Sequence, residues 1–117
     1  MKNLESRRAR YLQDALPIRL GGLAANLSRI ASFSKHAGSQ PVVADIFLES
    51  RWFIEWTALE LEILQAAELV ELQINLALWD FESRQSWNDE SWRSALANQS
   101  MQWSQRVLDI SGLLKAA

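Results

Sequence analysis

Pro41-Val42-Val43-Ala44-Asp45-Ile46-Phe47-Leu48-Glu49-Ser50-Arg51-Trp52-Phe53-Ile54-Glu55-Trp56 is the stretch that decides the fold of this chain. At about 100° per residue, Val42, Val43, Ile46, Phe47, Phe53 and Ile54 share one face of a helix. Leu48, Trp52 and Trp56 form a ridge roughly opposite that face. One amphipathic helix needs one buried stripe. A second stripe with two tryptophans needs a second partner: another helix, another chain or a ligand.

The sequence on either side also reads as helix. Leu16, Leu20, Leu23, Leu27 and Ile30 recur at steps of four and three residues and make one seam, which predicts a first helix over about 17–34. Pro17 suits a first helical position. Gly21 and Gly22 weaken that helix by up to about 1 kcal/mol each relative to alanine, and would let another backbone approach closely. Residues 35–40 read as a loop, and the second predicted helix runs from Pro41 to about Trp56. Thr57-Ala58-Leu59-Glu60 matches a capping box, which predicts a bend at Thr57; one continuous helix is the alternative.

The third predicted helix, about 58–82, has two apolar stripes. Ile63, Ala66, Ala67, Val70, Ile74, Ala77 and Phe81 form one; Leu61, Leu69, Leu72, Leu76 and Trp79 form the other. A fourth helix is predicted over about 89–114, with Asn88 as its N-cap and Trp87 and Trp92 as a hydrophobic staple. Its seam reads Trp92, Leu96, Gln99, Trp103, Val107, Ile110 and Leu114. The expected architecture is all-α: a single domain over 1–117, a four-helix up-down bundle. A short extra N-terminal helix is expected near residues 4–14, with 1–14 as a flexible or separately packed arm.

Composition agrees. The chain has 117 residues, 49% of them apolar, which is enough for a real core. Four Gly and two Pro are too few for a loop-rich β-sandwich. The absence of cysteine excludes a disulfide framework, a thiolate nucleophile and Cys-based zinc or iron–sulfur sites. The N-terminus has no apolar segment of signal-peptide type, and no stretch can span a bilayer, so the expected location is cytoplasmic, away from a membrane. Residues 1–35 carry seven Lys/Arg against two acids, whereas residues 36–82 carry only Arg51 against nine acids. A basic helix beside an acidic one, within a chain or across a dimer, accounts for this. A basic arm for an anionic partner is the alternative.

Chemistry is thinly represented. Di-iron bundles need Glu-x-x-His pairs on two helices, but His36 is the single histidine and lies in the predicted loop. No metal or cofactor and no catalytic residue is expected. Arg29 and His36, separated by six residues, resemble the Arg-x4–6-His signature of HEPN ribonucleases. That resemblance implies an arginine holding phosphate and a histidine serving acid–base chemistry, on a small dimeric helical protein. The sequence departs from the pattern: Ile30 follows Arg29 where a polar residue is usual, and the pair sits near the first helix. Gly21-Gly22 lacks the Lys-Ser/Thr of a phosphate loop. Arg7-Arg8-Ala9-Arg10-Tyr11 could touch an anion or RNA, but reads first as a solvated arm, and net charge −2 argues against nucleic acid.

The six tryptophans are the better clue. Trp79 and Trp103 fall in seams, and Trp87 and Trp92 clasp a helix start. Trp52 and Trp56 are left over, and Trp is enriched at binding hot spots. The expected interface is Leu48, Trp52, Trp56, Leu69, Leu72, Leu76 and Trp79, giving a homodimer through the second and third predicted helices. Cover by residues 4–14 of the same chain is the second expectation, and an apolar ligand or outside partner the third.

Two stretches carry a family resemblance: Leu16-Pro17-Ile18-Arg19-Leu20-Gly21-Gly22-Leu23-Ala24, and Phe53-Ile54-Glu55-Trp56-Thr57-Ala58 leading into Ala66-Ala67-Glu68-Leu69-Val70-Glu71-Leu72-Gln73. They are similar to small conserved helical proteins of cyanobacteria. The resemblance implies no activity and no site residues.

Overall fold

Residues 3–115 are described by a computed structural model. They form five helices: α1 (Leu4–Gln13), α2 (Leu16–Phe33), α3 (Gln40–Thr57), α4 (Ile63–Ser86) and α5 (Glu90–Ser111). Single 3-10 turns lie at Ala37–Ser39, Ala58–Glu60 and Leu113–Lys115, and no strand occurs among the described residues. The chain is therefore all-α, and the short N-terminal helix is present as α1.

α2 is the central element. One side pairs along α5, the other packs on α3, α4 lies against α3, and α4 and α5 touch only lightly. Leu20, Leu23, Leu27 and Ile30 on α2 share one core with Val43, Phe47 and Ile54 on α3, with Leu69, Leu72 and Leu76 on α4, and with Leu96 and Val107 on α5. The leucine seam of α2 is thus buried from Leu20 to Ile30, and Val43, Ile46, Phe47 and Ile54 bury the apolar face of α3, whereas Leu16 and Phe53 are half-buried and Val42 is exposed.

α2 and α5 approach more closely than the large residues of the predicted seam suggest. Ser100, Ser104 and Ser111 are buried on α5, while Gln99 and Leu114 are exposed. Ser100 Oγ donates to the Leu27 carbonyl at 2.6 Å and Ser104 Oγ to the Ala24 carbonyl at 2.8 Å. A buried hydroxyl is costly unless it is bonded. These two find carbonyl partners because small residues let the helices approach. α5 begins one residue later than expected: Asp89, and not Asn88, is its N-cap, with Oδ1 accepting from the Ser91 and Trp92 amides. Gly112, at φ 75°, ends the helix in the left-handed conformation that favours glycine.

Two expectations about the third predicted helix are corrected. It does not start at Ala58. After the turn at 58–60, Leu61 and Glu62 are extended (ψ 160° and 153°), and α4 begins at Ile63 and continues to Ser86. Nor does Thr57 cap: its side chain makes no capping hydrogen bond, and Glu60 is engaged elsewhere. The junction is a break, which excludes a continuous helix.

The second correction concerns the stripes of α4. Leu69, Leu72, Leu76 and Trp79, expected at an interface, are buried in the core of their own chain. The other stripe faces out. The longer leucines and the tryptophan fill the space in the core, and Trp79 Nε1 donates to Gln99 Oε1 at 3.2 Å. Leu76→Ala is therefore expected to lower the unfolding free energy by about 2–5 kcal/mol, read by urea denaturation, with no change of mass in solution. A reduced mass without that loss would return Leu76 to an interface.

Candidate functional site

Arg19 lies at the N-terminal end of α2 and is only 5% exposed. Its Nε donates to the Asp14 carbonyl at 3.0 Å, and its two terminal nitrogens donate to the two Glu60 oxygens at 2.8 and 2.7 Å. The Tyr11 hydroxyl donates to the Arg19 carbonyl at 2.9 Å. One guanidinium therefore joins the α1–α2 turn to the α3–α4 turn. The fork of Arg suits such a two-point carboxylate contact. Hydrogen bonding to Arg19 holds the Glu60 carboxyl below its usual range, and the same contact raises Arg19.

The Leu48–Trp52–Trp56 ridge is covered in part: α1 lies against the two tryptophans, while Leu48 is exposed. Tyr11 of α1 stacks on Phe53 (centroids 4.0 Å apart, planes 9° apart) and tilts against Trp56 at 5.9 Å. Trp52 and Trp56 stack on each other at 6.1 Å. The Arg7 guanidinium lies 5.3 Å above Trp52 and pairs with Glu49. Burial pushes the Tyr11 hydroxyl up to about 12, with Thr57 and Arg19 opposing the shift. Residues 4–13 of the same chain thus lie over part of Trp52 and Trp56, which stay half-buried. α1 supplies amphipathic side chains that lie flat on an aromatic surface. It contributes no buried residue, so this helix is strapped on by a few contacts.

Beside the ridge, Arg7, Arg29, Asp45, Leu48, Glu49 and Trp52 border a groove of about 300 Å³. Asn26, almost fully buried, donates to Glu49 Oε1 at 3.0 Å, and Arg29 donates to Asn26 Oδ1 at 3.2 Å. Two guanidinium groups face two carboxylates, so the groove has no net charge with which to select an anion. Arg29 is held toward this network. His36 is exposed in the α2–α3 turn and borders none of the described grooves, so the structure does not assemble the Arg29 and His36 pair into a site. No group of three or more His, Asp or Glu side chains is placed to hold a metal among the described residues. No helix there is long and apolar enough to cross a membrane.

The feature that stands out is the outer face of α4. Ile63, Leu64, Val70, Ile74, Leu78 and Phe81 are between 48% and 84% exposed. They are six of the twelve large apolar side chains exposed among the described residues, concentrated on one helix. Scattered single exposures are ordinary, but a contiguous patch marks an interaction surface or an aggregation hazard. The sequence displays this stripe without saying which way it faces, because both stripes of the helix have the same period.

The two junctions can be tested separately. Glu60 has a lowered folded pKa, so its pairing stabilises the fold fully above the usual carboxylate value of about 4.3 and loses that effect as pH falls through the folded value. The wild type should thus unfold at higher temperature than Glu60→Gln at neutral pH, with the gap closing as the medium is acidified below the usual carboxylate range; a gap independent of pH would remove the ion pair as its cause. Tyr11→Ala should speed tryptic cleavage after Arg7, Arg8 and Arg10 severalfold while the fragment beyond α1 keeps its helical circular dichroism. Comparison with protein-family models, curated proteins and solved structures finds no match to this chain.

Proposed function

We propose that this chain is a non-enzymatic helical module that works through protein–protein association, as a homodimer joined by the outer face of α4. The observation that carries the reading is the row of six exposed apolar side chains on that face. At their fractional exposures they present on the order of 700 Å², against about 800 Å² per partner in a standard interface. Compared with the expected interface, α4 keeps its place, its outer stripe replaces Leu69, Leu72, Leu76 and Trp79, and the Trp52–Trp56 ridge leaves. The contacts of α2 with α3 and α5, and of α4 with α3, support an up-down four-helix bundle strapped by α1. A cytoplasmic setting and kinship with the small helical proteins of cyanobacteria belong to the same proposal. The ribonuclease and ligand-binding alternatives draw no support from the geometry, since Arg29 is tied to Asn26 and the described grooves lie open at the surface.

Ile74→Glu tests it. Ile74 is exposed, so one folded chain tolerates the charge, whereas a buried interface does not. Sedimentation should give twice the chain mass for the wild type and the chain mass for Ile74→Glu, with unchanged helical circular dichroism. A monomeric wild type, or a variant that stays dimeric, would falsify the proposal.

A further inference from the structure

The outer face of α4 repeats more regularly than a chance patch. Ile63, Ala67, Val70, Ile74, Ala77 and Phe81 step by four, three, four, three and four residues. Alternating steps of four and three are the pattern that keeps one seam of two helices in contact. The seam extends about 27 Å along the helix at roughly 1.5 Å per residue. Its flanks differ. Leu64, Glu71 and Leu78 lie along one side, and Ala66, Gln73 and Asp80 along the other. Leu64 and Leu78 are 79% and 51% exposed, so the first flank is mainly apolar at the surface.

We infer that α4 pairs antiparallel with α4 of a second copy, about a twofold axis passing near residues 71–73. This rests on the reading of the α4 face as an association surface, and supplies its geometry. In an antiparallel pair, like flanks meet. Leu64 then packs on Leu78 of the partner subunit, and on the polar side the two half-buried copies of Gln73, each donating to the Arg51 carbonyl of its own chain at 3.4 Å, come nearest each other. In a parallel pair, unlike flanks meet, and Leu78 would face Gln73 of the partner subunit. The antiparallel layers also match in size. Ile63 lies against Phe81 of the partner subunit, Ala67 against Ala77 of the partner subunit, and Val70 against Ile74 of the partner subunit. The alanine layers let the two backbones approach between larger end and centre layers. Opposed helix dipoles favour the same orientation.

The arrangement has one built-in opposition. Glu71, exposed on the apolar flank, faces Glu71 of the partner subunit near the axis. Like charges at an interface weaken it, and salt relieves the repulsion. Association should therefore strengthen with ionic strength, and Glu71→Gln should tighten the dimer severalfold and flatten that dependence.

Cysteine cross-linking decides the orientation, because the chain has no cysteine of its own. Ala67→Cys and Ala77→Cys are prepared separately, then mixed, allowed to exchange and oxidised. Antiparallel pairing gives a covalent dimer from the mixture and none from either variant alone. In that pairing the two copies of position 67 lie about 15 Å apart along the helix direction, beyond the roughly 7 Å that a disulfide can bridge. A dimer in which Ala67→Cys cross-links with itself overturns the antiparallel geometry but leaves association through α4 standing. A dimer that cross-links in neither case overturns the seam, and a monomeric wild type overturns both readings.

Discussion

The buried guanidinium of Arg19 is the constraint on which the path of the chain depends. A charge taken out of water must be paired and hydrogen-bonded. Arg19 meets that demand with the Asp14 carbonyl and both oxygens of Glu60. Satisfying one side chain thus closes two junctions, one between α1 and α2 and one between α3 and α4. Glu60 cannot then reach back to cap a helix at Thr57. The chain leaves the 3-10 turn extended through Leu61 and Glu62, and α4 starts afresh at Ile63. From that restart α4 runs with Leu69, Leu72, Leu76 and Trp79 in the core.

The molecule has more apolar surface than one core can use, and it deals with the surplus in three ways. Leu69, Leu72, Leu76 and Trp79 are taken into the core. The Trp52–Trp56 ridge is covered in part by Tyr11 and Arg7 of α1, a thin layer that stacks and pairs without burying a residue of its own. The outer stripe of α4 is left to water. This last share, regular in spacing and comparable in area to half of a standard interface, is the basis for reading the chain as a protein-association module.

Several details are legible in the residues, and others escape for a specific reason. The leucine seam of α2 and the inner face of α3 stand out because their apolar positions leave one face to bury. The serines on the α2 side of α5 do not, because a serine reads equally as a solvated residue until a carbonyl such as that of Leu27 is placed beside it. Asn88 and Asp89 are both good caps, and backbone geometry chooses Asp89. The Thr57–Glu60 pattern misleads because a capping box assumes that its glutamate is free, and the competing arginine lies 41 residues away in sequence.

The sequence by itself determined an all-helical chain, the seam of α2, the inner face of α3, the approximate ends of α2, α3 and α5, and a surplus of apolar surface centred on Trp52, Trp56 and the third predicted helix. These follow from local periodicity, which acts over a turn or two and can be counted. Only the tertiary structure decided how the surplus is shared. Two stripes of one helix obey the same period, and a stripe has no means of declaring which neighbour will cover it. That choice is made where helices distant in sequence pack together, because a stripe is buried only if side chains of α2, α3 and α5 fill the space beside it, as they do for Leu69, Leu72 and Leu76.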